Sequence, residues 1–143
     1  MNTKFSIQFC GTYLHVQLDQ GFEICPESMT NLWEALAEAS RLYNCRYVYS
    51  EGLMPNRRMN MAGAFVSGDL LSQSVAGLKM ACYFEGYEAD ELTEFFKVVA
   101  RNRGTLVDFF STREEAYLWL GVRLPDDQKS GNPGIDQVKQ FLL

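Results

Sequence analysis

Histidine is nearly absent from this chain: His15 is the only one in 143 residues. A serine or cysteine nucleophile ordinarily needs a base beside it, and a lone imidazole leaves few ways to supply one. Cysteine is sparse and scattered. Cys10, Cys25, Cys45 and Cys82 form no CxxC pair and none adjoins His15, so the paired spacing of zinc ligands is missing. Four reduced thiols in or beside apolar segments are the simplest reading, and that suits the cytoplasm. No metal and no cofactor is expected.

Long apolar runs are missing too. None approaches the roughly 20 residues that span a bilayer. Met1-Asn2-Thr3-Lys4-Phe5-Ser6 interleaves polar and apolar residues, unlike the unbroken apolar stretch of an export signal. A soluble, cytoplasmic protein with no membrane span is expected. Basic charge is outweighed: 13 Lys and Arg stand against 18 Asp and Glu, a net charge of −5. That disfavours nucleic acid as a partner, because phosphate binding needs a cationic face. There is no GxGxxG. Gly63 to Gly68 has the glycine spacing of a phosphate-binding loop, but Asp69 and Leu70 stand where lysine and a hydroxyl residue belong. An aspartate there repels phosphate.

What is present is a globular composition. Hydrophobic residues are 47% and charged ones 22% of the chain, which argues against disorder. The length fits one domain with its own core. Phe5, Ile7 and Phe9 alternate with polar residues, then Gly11-Thr12 turns the chain. Leu14, Val16 and Leu18 follow on one face, with Tyr13, His15 and Gln17 on the other. The period of two predicts a hairpin with one polar face. From Pro26, Met29, Leu32, Trp33, Leu36, Ala39 and Tyr43 recur at helical spacing. Residues 46–49 read as a short strand, residues 50–61 as a loop and residues 62–75 as a weak helix. Residues 78–84 form a nearly unbroken apolar strand, as a central parallel strand should. A helix over 90–103 carries Leu92, Phe95, Phe96 and Val99 and is closed by Gly104. Residues 105–110 read as a strand. Ser111 and Glu114 then have capping-box spacing before a helix that carries Ala116, Leu118, Trp119 and Leu120 and stops at Gly121.

The order β-β-α-β-α-β-α-β-α implies an α/β fold, a mixed sheet of about five strands with an antiparallel edge strand and helices packed on it. Residues 1–122 read as the domain, 123–134 as a polar linker and 135–143 as a short amphipathic tail. The tail must dock on its own domain, dock on a second subunit, or fray, since nine residues cannot hold a helix alone.

Within residues 78–122, the strand ending in Phe110, the Glu114-Glu115-Ala116 run and the closing Trp119-Leu120 carry a resemblance. The chain resembles the SpoIIAA-like domains, relatives of the sulfate-transporter and anti-sigma-factor-antagonist (STAS) family, in a bacterial branch. The resemblance covers about residues 4–122. It implies the element order just given and a regulatory, protein-binding role without catalysis. In that family a serine or threonine opening the helix after the third strand is phosphorylated, within an Asp-Ser-Ser-Gly-like segment. Ser50 stands near that place, but Ser50-Glu51-Gly52 leads into a long loop instead.

That loop holds the candidate interaction residues: Ser50, Met54, Arg57, Arg58 and Met59. Adjacent arginines among methionines suit an anionic group or a partner surface. The acidic pairs Asp90-Glu91, Glu114-Glu115 and Asp126-Asp127 fall in first helical turns or the linker, where dipole or solvent accounts for them. Arg101 and Arg103 likewise close a helix. No acid, base and nucleophile stand together, so an enzyme is not expected. Two roles follow: a regulatory or protein-interaction module, possible also as a homodimer through the hairpin edge or the tail; or a carrier of a small apolar ligand or lipid, for which 10 Phe, 7 Tyr and 2 Trp offer surface.

Overall fold

Two short hairpin strands open the chain, β1 (Phe5–Phe9) and β2 (Leu14–Leu18), paired antiparallel with Phe5 opposite Leu18 and Phe9 opposite Leu14. Their alternation holds as read: Phe5, Ile7, Leu14, Val16 and Leu18 are all buried. The computed structural model describes residues 2–53, 56–57, 63, 66, 69, 77–122 and 141–142. After β2 come β3 (Glu23–Ile24), α1 (Pro26–Tyr43), β4 (Tyr47–Leu53) and β5 (Asn56–Arg57). Gly63, Val66 and Asp69 are helical. β6 (Lys79–Glu85), α2 (Glu91–Asn102), β7 (Leu106–Phe110), α3 (Arg113–Leu120) and β8 (Phe141–Leu142) complete the described chain.

The main sheet runs β7-β6-β4-β2-β1-β8, and β3 and β5 form a second, two-stranded sheet. β2, β4, β6 and β7 are parallel neighbours. The β1–β2 and β1–β8 pairs are antiparallel. This is the α/β mixed sheet expected from the sequence. Each parallel crossover steps in the same direction across the sheet, so right-handed connections carry their helices to the same face. α1 and α2 do share a face. Leu32, Trp33 and Leu36 of α1, with Ala100 of α2, pack on Ile7, Val16, Val48, Cys82 and Val107 in the large core. α3 lies on the opposite face, where Ala116, Tyr117 and Leu120 join Tyr13, Tyr49 and Ala81.

Four sequence expectations need correction. β4 runs on to Leu53, so Ser50, Glu51, Gly52 and Leu53 are strand rather than loop. Their weak intrinsic strand preference is overridden by pairing on both sides: Ser50 lies between Val16 and Cys82. Arg57 also belongs to a strand, its backbone paired with Ile24. The cap of α3 is Thr112, whose hydroxyl accepts from Glu115 N and donates to Glu115 Oε1. Ser111/Glu114 and Thr112/Glu115 have the same spacing, and the end of β7 at Phe110 leaves two residues before the first turn. Finally, Leu118 faces solvent at 83% exposure, and Tyr117 takes the inward place. In an eight-residue helix, positions 116, 117 and 120 form the inward stripe.

The tail docks on its own domain. Phe141 pairs with Ile7 and Leu142 with Ser6, which puts β8 along the free edge of β1. No helix among the described residues is long and apolar enough to cross a membrane.

Candidate functional site

Strand alternation puts Tyr49 and Glu51 on the α3 side of β4, and register fixes their neighbours. Tyr49 lies between His15 and Ala81, and Glu51 between Gln17 and Tyr83. The small side chain of Ala81 leaves room above the sheet for a ring from α3. Tyr117 fills it, stacked on Tyr49 with centroids 4.2 Å apart and planes 22° from parallel. Tyr13, at the end of the hairpin turn, meets Tyr117 edge-on at 5.7 Å. The hydroxyls of Tyr13 and Tyr117 are 3.2 Å apart. All three tyrosines are at most 2% exposed.

This aromatic base carries a charged rim. Tyr49 Oη donates to Glu51 Oε1 at 2.7 Å, and Arg113 Nη2 donates to Glu51 Oε2 at 3.2 Å. Both carboxylate oxygens are thus engaged, and the Glu51 side chain is 17% exposed against 47% for Arg113. Arg113 opens α3, so the ion pair also ties that helix to β4. Partial burial works against the guanidinium charge, but Glu51, Tyr49 and Tyr117 together outweigh it and the Arg113 pKa is raised. His15 sits edge-on to Tyr49 at 5.2 Å, with Nε2 3.4 Å from Gln17 Oε1. Burial lowers its pKa, only partly opposed by Glu51, so the neutral imidazole is favoured.

Beside the rim, at the carboxyl ends of β2, β4 and β6, lies a cleft of about 270 Å³. Glu51, Glu85, Arg113, Gln17 and Leu53 line it, with Gly52 at its floor. Open α/β sheets place their ligand crevices at this end of the strands. Gly52 is closely packed: a Cβ there would stand 3.0 Å from the Leu18 Cβ, so Leu18 would have to shift. Leu53 is 47% exposed at the margin.

Chemically, the arrangement holds and presents charge. Burial raises the pKa of Tyr13 to about 12. Burial also raises Tyr49 and Tyr117 well above the usual phenol range. The phenols therefore stay protonated and act as donors. Burial pushes the thiols of Cys10, Cys45 and Cys82 up as well, away from reactive thiolate. Cys25 is the N-cap of α1, accepting from Ser28 N. The ring beside His15 is that of Tyr49, whose hydroxyl is committed to Glu51. Among the described residues, no three of His, Cys, Asp and Glu are grouped to hold a metal ion.

Of the residues singled out from sequence, Ser50 is 2% exposed and faces the helix-covered core with Val48 and Cys82. A partner cannot reach it in the folded domain. Arg57 lies in β5; Met54, Arg58 and Met59 lie outside the described residues. Two bland readings gain specific accounts. Asp90 caps α2 by accepting from Thr93 N at 2.8 Å, and Arg103 pairs with Asp69, the residue that spoiled the phosphate-loop match. Tyr49, Glu51, Arg113 and Tyr117 were missed as a group. The available signal was the 116, 117, 120 spacing, which puts Tyr117 inward.

Comparison with known protein families and with curated proteins finds no match to this chain.

Proposed function

We propose that this protein is a cytoplasmic, non-catalytic regulatory or protein-interaction module of the SpoIIAA-like type, and that it reads its partner at the Glu51–Arg113 rim. The observation that carries this reading is the rim itself. A half-exposed arginine is fixed by a carboxylate whose other oxygen is held by a buried tyrosine, so the charges stand in one geometry before any partner arrives. Preorganised charge of this kind lends specificity, because nothing has to be ordered on binding. Exposed Leu53 beside it supplies apolar contact. Two further features support the reading. The α/β order of the main sheet agrees with the one that the resemblance implies, and burial holds the phenols of Tyr13, Tyr49 and Tyr117 beside the rim protonated.

Quantitative affinity capture from native cells tests this, comparing wild type with Arg113→Glu and with the control Leu118→Ser. The expected result is a protein enriched by wild type and control alike, and depleted at least about tenfold by the charge reversal, since mispaired interface charges cost several kcal/mol. Equal capture by all three chains, or no enriched protein, would overturn the proposal.

A further inference from the structure

The main sheet has two edges, and they are closed in different ways. β8 lies along β1 at one end of the strand order. β7 stands at the other end, with β6 as its one partner strand among the described residues. Register shows which groups of β7 are used. Leu106 N bonds Leu78 O, so the amides of Leu106, Asp108 and Phe110 point to β6, and those of Val107 and Phe109 point outward. An open edge of this kind is a template for another strand. Its composition favours that: Leu106, Val107, Phe109 and Phe110 are all apolar, and Leu106 is 45% exposed.

Asp108 is the exception. Val107 and Phe109 face the large core, so alternation puts Asp108 on the α3 side of the strand. Yet Asp108 Oδ1 accepts from Phe109 N at 2.8 Å, one of the two outward amides. Lys97 of α2, the helix on the other face, donates to the same oxygen at 3.2 Å. Lys97 is itself steadied by Glu94 at 3.2 Å, and its side chain is 16% exposed. The ion pair thus passes around the edge of β7 from one face of the sheet to the other.

We propose that Asp108, anchored by Lys97, closes the β7 edge against strand pairing with a second copy of this chain. The segment is otherwise self-complementary. In antiparallel pairing about a two-fold axis, Val107 of each copy faces Phe109 of the other, and all four outward amides find carbonyls. Leu106 then faces Phe110, an apolar pair on each side of the axis. That same register sets Asp108 directly opposite Asp108. The two stand in a non-hydrogen-bonded pair, where Cα atoms are only about 4.5 Å apart. Like charges directly opposite one another are destabilising. Pairing also requires that Phe109 N first leave the Asp108 carboxylate.

The test is light scattering of the full chain over a range of concentrations, with amide hydrogen exchange followed by NMR. Asp108→Val should rise to twice the wild-type mass with Kd below about 1 mM, and its Val107 and Phe109 amides should slow as concentration increases. When dilute, its Phe109 amide should exchange at least about tenfold faster than in wild type, because a charge-assisted bond is gone. Asp108→Asn keeps the shape without the charge and carries the same expectation for association if the valine variant does not fold. Asp108→Lys loses the bond but keeps like charges opposite each other, so it should stay at the wild-type mass. A folded neutral variant at the wild-type mass, association of the lysine variant, or association that leaves the Val107 and Phe109 amides unchanged would each overturn the proposal. None of these readouts depends on the partner proposed for the rim.

Discussion

Tyr13 and Tyr117, 104 residues apart in the chain, meet through hydroxyls 3.2 Å apart. That contact joins the hairpin to α3 on one face of the sheet. The ring of Tyr117 also stacks on Tyr49, so its packing and its hydroxyl should separate cleanly. Tyr117→Phe keeps the stack and leaves the Tyr13 hydroxyl short of a partner, a loss of about 1–3 kcal/mol. Tyr117→Ala also removes the ring and should cost about 3–5 kcal/mol. Urea unfolding of both variants checks this; equal losses would mean that the stack contributes nothing.

Ser50 gives the sharpest test of where β4 ends. It is 2% exposed between Val16 and Cys82. A charge placed there has no solvent and no cationic neighbour in its row of the sheet. Ser50→Asp should therefore lose about 3–5 kcal/mol or fail to fold, and Ser50→Ala should lose only about 1 kcal/mol. A folded, stable Ser50→Asp protein would return this residue to an exposed loop.

The acid response follows from His15. The groups facing it are the Tyr49 ring, Gln17, Glu51 and Arg113. Its pKa lies below the ordinary 6.5 because burial disfavours the charged ring. The unfolded chain thus takes up a proton first as pH falls. The stabilising share of neutral His15 is complete above pH 6.5 and is lost as pH drops from there through the lowered value. His15→Gln should flatten that part of the stability profile relative to wild type. Unfolding midpoints at intervals between pH 7.5 and 5 show it; parallel curves would contradict it.

Much of this fold was legible in the sequence because local signals and tertiary demands agree. Phe5, Ile7 and Phe9 alternate and are inward; Leu32, Trp33 and Leu36 fall on the helical stripe and are buried. The reading broke down where the two diverge. Ser50-Glu51-Gly52 resembles a loop by composition, yet a neighbour on each side draws it into the sheet. The site suffered most from this. Glu51 and Arg113 are 62 residues apart, and only the parallel register of β4 and the direction in which α3 leaves β7 bring them together. No local spacing encodes that pair. Tyr117 was left out for a smaller reason: a count of apolar residues passes over a tyrosine, and in two turns of helix one position separates the inward Tyr117 from the outward Leu118.

The tail makes a separate prediction. β8 pairs along β1, the strand that would otherwise end the sheet. Uncovered edges recruit other chains. Removing residues 124–143 should raise the mass seen by light scattering above that of the full chain at equal concentration. An unchanged mass would mean that β8 does not protect the edge.

The account stands or falls on the rim of Glu51 and Arg113. Leu53 lines its cleft, and Leu42 lies elsewhere on the surface with similar exposure, 47% and 53%. A photo-crosslinking residue placed at each position in living cells, with and without Arg113→Glu, measures recognition where it is claimed. The expected result is one discrete protein adduct from position 53, lost on charge reversal and missing from position 42. The same adducts from both positions, an adduct at 53 indifferent to Arg113, or none at all would contradict it.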